Sequence, residues 1–442
     1  MELEDEKRKK ADATRKANAI LRNIAFHVAS LTGGGTGDLA IFEELGTFTT
    51  AGIVTLMSSS MSCGGLIELL FTQGVGGLTD RFGRKWGFLV YPSYCTIGGL
   101  AVFLFPKNLN VLWYNRMFVW SLGAVFGGLA HSGAAISDLA SGEVLAAAYS
   151  KIFMYIGAGV LVGLTVGSKA HQLFGAKYAH LARSVFGLIQ LYHNYYYLEE
   201  TLSIENRNPK PLTLQDVNPL KCLQLFTYSR GLSLTALTLP LAHCAEGKHT
   251  ADIRSAWMAY VLKMPLSMQG WFMNYWSSLA VLGGYAGAIS MKKLGRRTFT
   301  TMTNVLTAIG FYMVSIPQRW ASWFGYALML PGFNANHCAG MKAFATDLAV
   351  AHGIGRGDFA ASVALLRGAS VVFAPTIYSY LFSSQMKNGQ IPRKAWWAVI
   401  LLGAILPEIC HQLLNDDDLD VERIKEERMA KENGKSEKQQ NK

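Results

Sequence analysis

The chain has 442 residues, of which 50% are hydrophobic and only 16% are charged, and its formal net charge is +11. Soluble domains average about 25% charged residues, whereas here the apolar residues form runs of roughly 20, enough for a helix to cross a bilayer. The composition argues against a soluble globular protein. The basic residues flank the apolar runs, which argues against a nucleic-acid-binding face.

The N-terminal part of the chain is the hardest to assign. Residues 1–17 are highly charged, which excludes a signal peptide and predicts a cytoplasmic tail. Residues 18–46 contain charges and three consecutive glycines, so they form a poor span by hydropathy. They could be a broken first helix lining a wet cavity, or a segment outside the bilayer. The basic residues at 80–85 should face the cytoplasm, and a cytoplasmic N-terminus then requires one earlier span, so we favour a degenerate first helix.

Eleven clear apolar spans follow, separated by turn-forming residues. They are about 50–74, 88–105, 111–131, 148–167, 181–198, 223–245, 264–290, 299–316, 323–343, 360–382 and 395–414. A polar, proline-containing loop at 199–222 divides the chain into halves 18–198 and 223–414, and residues 415–442 form a second charged tail. We therefore predict an all-α membrane protein of about 12 transmembrane helices, with the loop and both tails in the cytoplasm.

The strongest motif runs from Gly76 to Lys85, between the first two clear spans. It places a carboxylate and several cations at the membrane surface, where they can pair with each other or with a helix end. Positive-inside flanking explains the cations but not Asp80 or the spaced glycines. We predict a conformational switch made of Gly76, Asp80, Arg81, Gly83, Arg84 and Lys85.

This segment closely resembles the G-x-L-x-D-R-x-G-R-K loop between helices two and three of the major facilitator superfamily. The resemblance implies two six-helix bundles related by pseudo-two-fold symmetry, and secondary transport by alternating access. Gly295, Arg296 and Arg297 look like the second-half copy of this loop, although Lys292 stands where the acid should be. The overall pattern is most similar to tetracycline-resistance-like drug/proton antiporter branches, and the sugar-porter branch fits less well.

A glycine series in the fourth clear span has two interpretations. Gly159, Gly163 and Gly167 resemble the helix-five motif of drug/proton antiporters, with Leu164 in place of its proline. Glycines spaced by four residues also give a helix a smooth face for close packing. Both interpretations stay open on the sequence.

Ionisable side chains inside spans are costly and are therefore functional candidates. Glu68 is predicted either to carry a coupling proton or to pair with a cation, for which Arg116 is the candidate. Arg116 is alternatively predicted to bind an anionic substrate. If the N-terminal segment lines the cavity, Asp38, Glu43 and Glu44 compete with Glu68 for the coupling role.

Asn334, Asn336 and His337 fall within one span and are predicted to contact substrate or to hydrogen-bond between helices, and Arg367 is predicted near the cytoplasmic end of its span. The sequence contains no nucleophile motif, P-loop or dinucleotide fingerprint, so we expect no enzyme activity, catalytic residue, metal or cofactor. Expected partners are a small-molecule substrate, H⁺ and the lipid bilayer, with no nucleic acid, and the chain is expected to be a monomer.

The leading hypothesis is a secondary active transporter of a small organic solute, proton-coupled, working by alternating access. The alternatives are a non-transporting receptor or scaffold on the same fold, or a sugar-type facilitator.

Overall fold

The structure is a computed structural model that describes residues 2–127, 129–139, 142–207, 218–330, 339–354, 356–426 and 428–429, and every regular element in these ranges is helical. The helices of the first part of the chain are α1 (Glu2–Glu43), α2 (Thr50–Phe82), α3 (Gly87–Leu104), α4 (Leu109–Leu122), α5 (Leu129–Leu139), α6 (Gly142–Phe174) and α7 (Ala176–Tyr197). A π-helical turn, Gly123–Gly127, follows α4. We refer to α1–α7 as the first half.

The second half begins after the central loop. Its helices are α8 (Leu225–Tyr228), α9 (Arg230–His243), α10 (Ala251–Ala256), α11 (Leu266–Leu294), α12 (Arg296–Val314), α13 (Arg319–Met329), α14 (Ala339–Ala351), α15 (Arg356–Lys387), α16 (Arg393–Ile400) and α17 (Leu406–Gln412). Two more π-helical turns, Trp257–Val261 and Leu401–Ile405, continue α10 and connect α16 to α17. Short 3₁₀ turns lie at Ile204–Asn206, Pro219–Gln224 and Asp417–Leu419.

Five helical stretches of the described chain are long and apolar enough to cross a membrane by length and composition. They are Thr50–Phe82, Gly87–Leu104, Leu109–Ile136, Ser362–Lys387 and Arg393–Gln412. The 33 residues of α2 rise about 50 Å, which exceeds the ~30 Å hydrocarbon core. The charged end of α2, with Asp80 and Arg81, can therefore extend beyond the apolar layer.

The first helix is not broken, which corrects the broken-helix interpretation of residues 18–46. Residues of α1 from Ala17 to Phe42 are largely buried, and α1 packs on α6 and α7. The glycines allow this packing, because a Cβ at Gly34 would lie 2.2 Å from the Arg183 guanidinium. The charged N-terminal residues continue the same helix, and Arg15 forms a 2.7 Å ion pair with Glu199 beyond the end of α7.

The loop predicted after the span at 223–245 also differs from the structure. The chain turns between His243 and Ala251 and then resumes as α10 and the π-helical turn that ends at Val261. Pro240 lies inside α9, where it removes a backbone donor and disfavours a straight helix. One discontinuous helix therefore replaces a span followed by a loop, and its break carries several charged residues.

Topology gives the first testable prediction. Both tails are expected on the cytoplasmic side, because the N-terminal tail lies beside Glu199 and the C-terminal segment beside Arg297, which pairs with Asp416 at 2.5 Å. Cysteines introduced as Ala11→Cys and Ser436→Cys, in a Cys63→Ala background, should both react only with membrane-permeant maleimides in sealed, right-side-out vesicles. Labelling of one tail alone by an impermeant reagent would contradict an even number of spans.

Candidate functional site

A buried ion triad joins the two halves near the middle of the molecule. The guanidinium of Arg116, on α4, contacts the carboxylates of Asp38 on α1 and Asp252 on α10. All three side chains are less than 8% exposed. The Ser58 hydroxyl, on α2, donates to Asp252 at 3.4 Å. Because Asp38 and Arg116 belong to the first half and Asp252 to the second, the contact between Arg116 and Asp252 bridges the halves.

Asp38 lies close to two arginines, whereas Asp252 contacts one of them. Arg183, on α7, is buried close to Asp38, and it donates to the backbone carbonyls of Ser30 and Leu31 at 3.3 and 3.5 Å. His180 Nε2 lies 3.6 Å from Asp38 Oδ1. Among the described residues Asp252 contacts one cation, Arg116. Separation of the halves would therefore remove the counter-charge of Asp252 but not that of Asp38.

A second ion pair bridges the halves at the break in the discontinuous helix. Lys248 donates to Glu68, on α2, at 2.8 Å, and both side chains are at least 85% buried. Glu246 accepts from Arg367, on α15, at 2.7 Å and contacts His243 at 2.5 Å. Glu68 therefore pairs with Lys248, not with Arg116 as the sequence suggested. Arg367 lies on α15, five residues after the start of the apolar stretch Ser362–Lys387, and is held by Glu246, so its predicted place near the cytoplasmic end of its span stays a prediction.

Side-chain hydroxyl groups make the contacts at one end of the interface between the halves. Along α2 and α15, the hydroxyls of Thr55 and Ser383 are 3.1 Å apart, and those of Ser62 and Thr376 are 2.7 Å apart. At the end of α1, the Tyr260 hydroxyl donates to Glu43 at 2.5 Å. These contacts lie toward the start of α2, which is the end opposite to the predicted switch motif.

The switch motif is anchored within the first half. Asp80 and Arg81 lie in the last turn of α2, and the Asp80 carboxylate is 2.6 Å from Arg84. Arg84 Nε also donates to Asp138, on α5, at 2.9 Å. Lys85 Nζ donates to the carbonyl of Tyr195 at 3.0 Å. Among the described residues, the hydrogen-bond and ion-pair partners of these charged groups belong to the first half, so these groups do not connect the two halves. Arg81 is partly exposed, and Gly76 has open space around its Cα.

Glu200 fixes the turn of the motif. Its carboxylate accepts from the backbone N–H groups of Arg84 and Lys85 at 2.8 and 3.2 Å. Burial would raise the pKa of Glu200, but the N–H donors of Arg84, Leu202, Lys85 and Thr201 outweigh it and hold that pKa below its ordinary value. Gly83 has φ 95°, and a Cβ there would meet Glu200 Oε2 at 2.3 Å, so glycine is required on both counts.

The second-half copy repeats these contacts with different residues. Gly295 also has a positive φ, of 76°. Arg296 pairs with Asp347, on α14, at 2.8 Å, as Arg84 pairs with Asp138 on α5. Arg297 donates to the carbonyl of Leu414 at 2.6 Å, as Lys85 does to Tyr195. The two loops occupy equivalent places in the two halves, and the exposed Lys292 replaces the acid in the second.

The glycine series of α6 makes a close contact with α1. Cβ atoms at Gly159, Gly163 and Gly167 would lie 2.1–2.5 Å from carbonyl oxygens of α1. Nothing heavier than glycine fits such a backbone approach without displacement of a helix. The packing interpretation therefore has a geometric basis in the structure.

Gly163→Ala is accordingly expected to destabilise the folded protein by about 1–3 kcal/mol, the usual cost of overpacking. Gly35→Ala, on the facing helix α1, is the matched control because no atom lies within 4 Å of its Cβ position. Thermal unfolding in detergent should show a lower midpoint for Gly163→Ala only. Equal midpoints for both variants would mean that α1 and α6 are not held this closely.

Sequence reasoning found part of this site. Glu68, Arg116 and Asp38 were all candidates, and Asn334, Asn336 and His337 lie outside the described residues. Asp252, Lys248, Glu246 and Arg183 were missed. The first three lie in a stretch assigned as a loop because of its charges, whereas Arg183 stands inside a predicted span and could have been singled out by the cost of an arginine at membrane depth.

The described residues contain no group of three or more His, Cys, Asp or Glu side chains arranged to hold a metal ion. The site consists of ion pairs between helices. What these pairs can do chemically is to form, break and exchange protons as the helices move.

Solved structures identify the architecture. The human organic anion transporter MFSD10 (TETRAN) is 16% identical, with a TM-score of 0.62, over 89% of this chain and 99% of that one. A variant of the nucleoside transporter NupG is 12% identical, with a TM-score of 0.69, over 91% and 100%. A variant of the peptide transporter POT in complex with sulfate is 12% identical, with a TM-score of 0.66, over 92% and 95%.

The chain is thus an integral, multi-pass membrane protein with the twelve-helix fold of major facilitator superfamily transporters. The fold predicted from the switch motif is confirmed, and the tetracycline-resistance-like branch stays a prediction. No protein-family model matches the chain, and no curated protein matches it significantly.

Proposed function

We propose that this protein is a secondary active transporter of a small organic solute, coupled to protons and working by alternating access. The observation that carries the proposal is the bridging of the two halves by two mostly buried ion pairs, Arg116–Asp252 and Glu68–Lys248. Buried pairs are weak evidence for stability but are well suited to a switch, because breaking one strands both charges. Rocking of the halves must break both pairs.

The similar structures support transport without naming a solute. They are an organic anion transporter, a nucleoside transporter and a peptide transporter. Three such different solutes on one fold mean that the substrate follows from individual side chains, not from the fold.

The different surroundings of the two triad carboxylates support proton coupling. When the halves separate, Arg116 keeps Asp38, and Asp38 keeps Arg183 nearby. Asp252 loses Arg116, the one cation it contacts among the described residues. A buried carboxylate without a counter-charge is stabilised by taking up a proton. Asp252 is therefore the preferred coupling acid, and Glu68, which would likewise lose Lys248, is the second candidate.

The switch motif acts on the same equilibrium in this proposal. Asp80 is 48% exposed and pairs with Arg84, which also has Asp138. Its carboxylate is thus free to exchange partners when the second half approaches. The second-half loop at Gly295–Arg297 offers the same geometry without the acid, so the switching role is assigned to the first-half motif alone.

Asp80→Asn is expected to reduce transport about tenfold at unchanged folded yield, because a change of ~1.4 kcal/mol between two conformations shifts their populations by that factor. An exposed ion pair contributes only about 0.2–1 kcal/mol to folding. The matched control is Asp138→Asn, which removes the partner shared by Arg84 and Thr201 and should lower the thermal midpoint. Normal transport by Asp80→Asn at equal membrane level would reduce Asp80 to a flanking residue.

The proposal includes both directions of proton coupling, symport and antiport. The antiporter branch was suggested by Gly159, Gly163 and Gly167, whose contacts with α1 give them a packing role in either direction. Symport and antiport differ in the sign of the response to a pH gradient.

Reconstitution into proteoliposomes tests the proposal. Counterflow of a panel of radiolabelled organic solutes, measured with and without an imposed pH gradient, should identify a substrate whose accumulation changes with the gradient. Binding without flux would favour a non-transporting receptor on this fold. Flux that ignores the gradient would favour a facilitator. Mock liposomes without the protein serve as the control.

A further inference from the structure

Arg254 is a buried cation that the ion pairs of the site do not use. It lies on α10, two residues after Asp252, and is 7% exposed. Its Nε and Nη1 atoms have no hydrogen-bond partner among the described residues. Buried charges are normally paired, because an isolated charge loses its hydration without compensation. The Arg254 guanidinium therefore needs a hydrogen-bond acceptor or a negative charge beside it.

The other buried cations of the site already have their counter-charges. Arg116 has Asp38 and Asp252, Lys248 has Glu68, and Arg367 has Glu246. The sequence suggested that Arg116 binds an anionic substrate, but its guanidinium already pairs with the carboxylates of Asp38 and Asp252. Among these cations, Arg254 is the one with a guanidinium open to a further acceptor.

An aromatic ring packs on the Arg254 guanidinium. The Arg254 guanidinium carbon is 5.1 Å from the ring centroid of Trp276, on α11. Gly247, in the break of the discontinuous helix, lies against both: a Cβ there would be 3.1 Å from Trp276 Cζ2 and 3.6 Å from Arg254 Nη1. Glycine at this point lets the chain pass close to the guanidinium and the Trp276 ring. Cation–π contact orients an arginine but leaves its in-plane N–H groups available.

The same region contains further donors without acceptors. Trp276 packs against an apolar cluster that includes Trp257, Tyr326 and Trp396. The indole N–H groups of Trp257 and Trp396 are buried without a partner among the described residues, and the Tyr326 hydroxyl lies beside Arg254. The Trp257 and Trp396 rings are 6.0 Å apart. Several buried donors together, with a cation among them, favour a ligand that accepts hydrogen bonds and carries negative charge.

We propose that Arg254 anchors the anionic group of the transported solute, and that this solute is an organic anion with an aromatic or apolar body that packs on Trp276. The inference rests on the proposed transport function. It places the anion on the second half, two residues from Asp252 along the chain, so that the groups for solute and proton belong to one short helix.

Binding to the purified protein tests the inference without any gradient. The probes are 2-naphthoate and 2-naphthalenesulfonate, with 2-naphthamide as the neutral analogue of the same shape. Both anions should raise the thermal midpoint of the wild type at millimolar concentration, and the amide should not. Arg254→Gln should weaken anion binding roughly tenfold or more. Arg22→Gln, which removes an exposed arginine of α1, should bind as the wild type does.

Several results would overturn the inference. They are equal stabilisation by the amide and the anions, no stabilisation by either anion, or full anion affinity in Arg254→Gln. A structural role makes the opposite prediction for the ligand-free protein: Arg254→Gln should then unfold at a lower temperature, whereas an anchor without ligand should give an equal or higher midpoint. Arg254→Lys keeps the charge, and is expected to fold and to bind both anions more weakly than the wild type.

Failure of the inference and failure of transport are distinguishable. Anion binding that depends on Arg254, without solute flux in proteoliposomes, would retain the site and remove the transport function. Flux of neutral solutes only, with no anion binding, would retain transport and remove the anion site.

Discussion

Asp252→Asn is expected to abolish accumulation driven by a pH gradient while substrate exchange at equal pH continues. One pH unit is worth about 1.4 kcal/mol per proton, or about tenfold accumulation. Asparagine keeps the size of the side chain and can still bond to Arg116 and Ser58, but it cannot ionise. The accumulation ratio measured in proteoliposomes with a one-unit gradient should therefore fall from about ten to about one.

Glu68→Gln is the companion variant for this measurement, since it removes the carboxylate of the other pair between the halves. If Asp252 is the coupling acid, Glu68→Gln should retain gradient-driven accumulation. If Glu68→Gln loses it and Asp252→Asn keeps it, the roles are exchanged. Accumulation at the wild-type level in both variants would rule out both carboxylates.

Arg116→Gln is expected to be among the most destabilising single substitutions in the chain. It leaves Asp38 and Asp252 buried without their shared guanidinium, and breaking a buried pair costs roughly 3–5 kcal/mol. Folded yield and thermal midpoint in detergent should both fall steeply. Transport should be lost with them.

The double variant Arg116→Gln/Asp252→Asn distinguishes stranded charge from lost packing. Neutralising Asp252 removes one of the two stranded carboxylates, so part of the lost stability should return. A double variant that is no more stable than Arg116→Gln alone would show that charge is not the cause. Arg22→Gln controls for the loss of an arginine from a helix without a buried partner.

Much of the architecture could be predicted from the sequence because most spans are apolar over about 20 residues. The span predicted at 88–105 matches α3, Gly87–Leu104, almost residue for residue. The neighbouring span was predicted to end at residue 74, because hydropathy falls where α2 carries Asp80 and Arg81, whereas α2 continues to Phe82. Asp80 and Arg81 are still helical, and the helix ends at Gly83, whose φ is positive.

The central site could be predicted only in part, and for the same physical reason in both halves. Hydropathy penalises Asp38 and Asp252 as isolated charges, so residues 18–46 were assigned as a degenerate span and residues 246–263 as a loop. Each charge is compensated by Arg116 on another helix. Hydropathy is read along the chain, and it does not show that Arg116 lies close to either carboxylate in space. The wrong partner for Glu68 has the same origin.

The three π-helical turns give these helices a freedom that ordinary α-helices lack. A turn with i→i+5 bonds contains an extra residue, and Arg116 and Asp252 each lie within two turns of one, at Gly123–Gly127 and Trp257–Val261. A wide turn that moves along its helix and passes a residue rotates that side chain by about 100° and shifts it by about 1.5 Å. Movement of these turns past Arg116 or Asp252 would therefore separate the bridging pair while most of each helix stays in place.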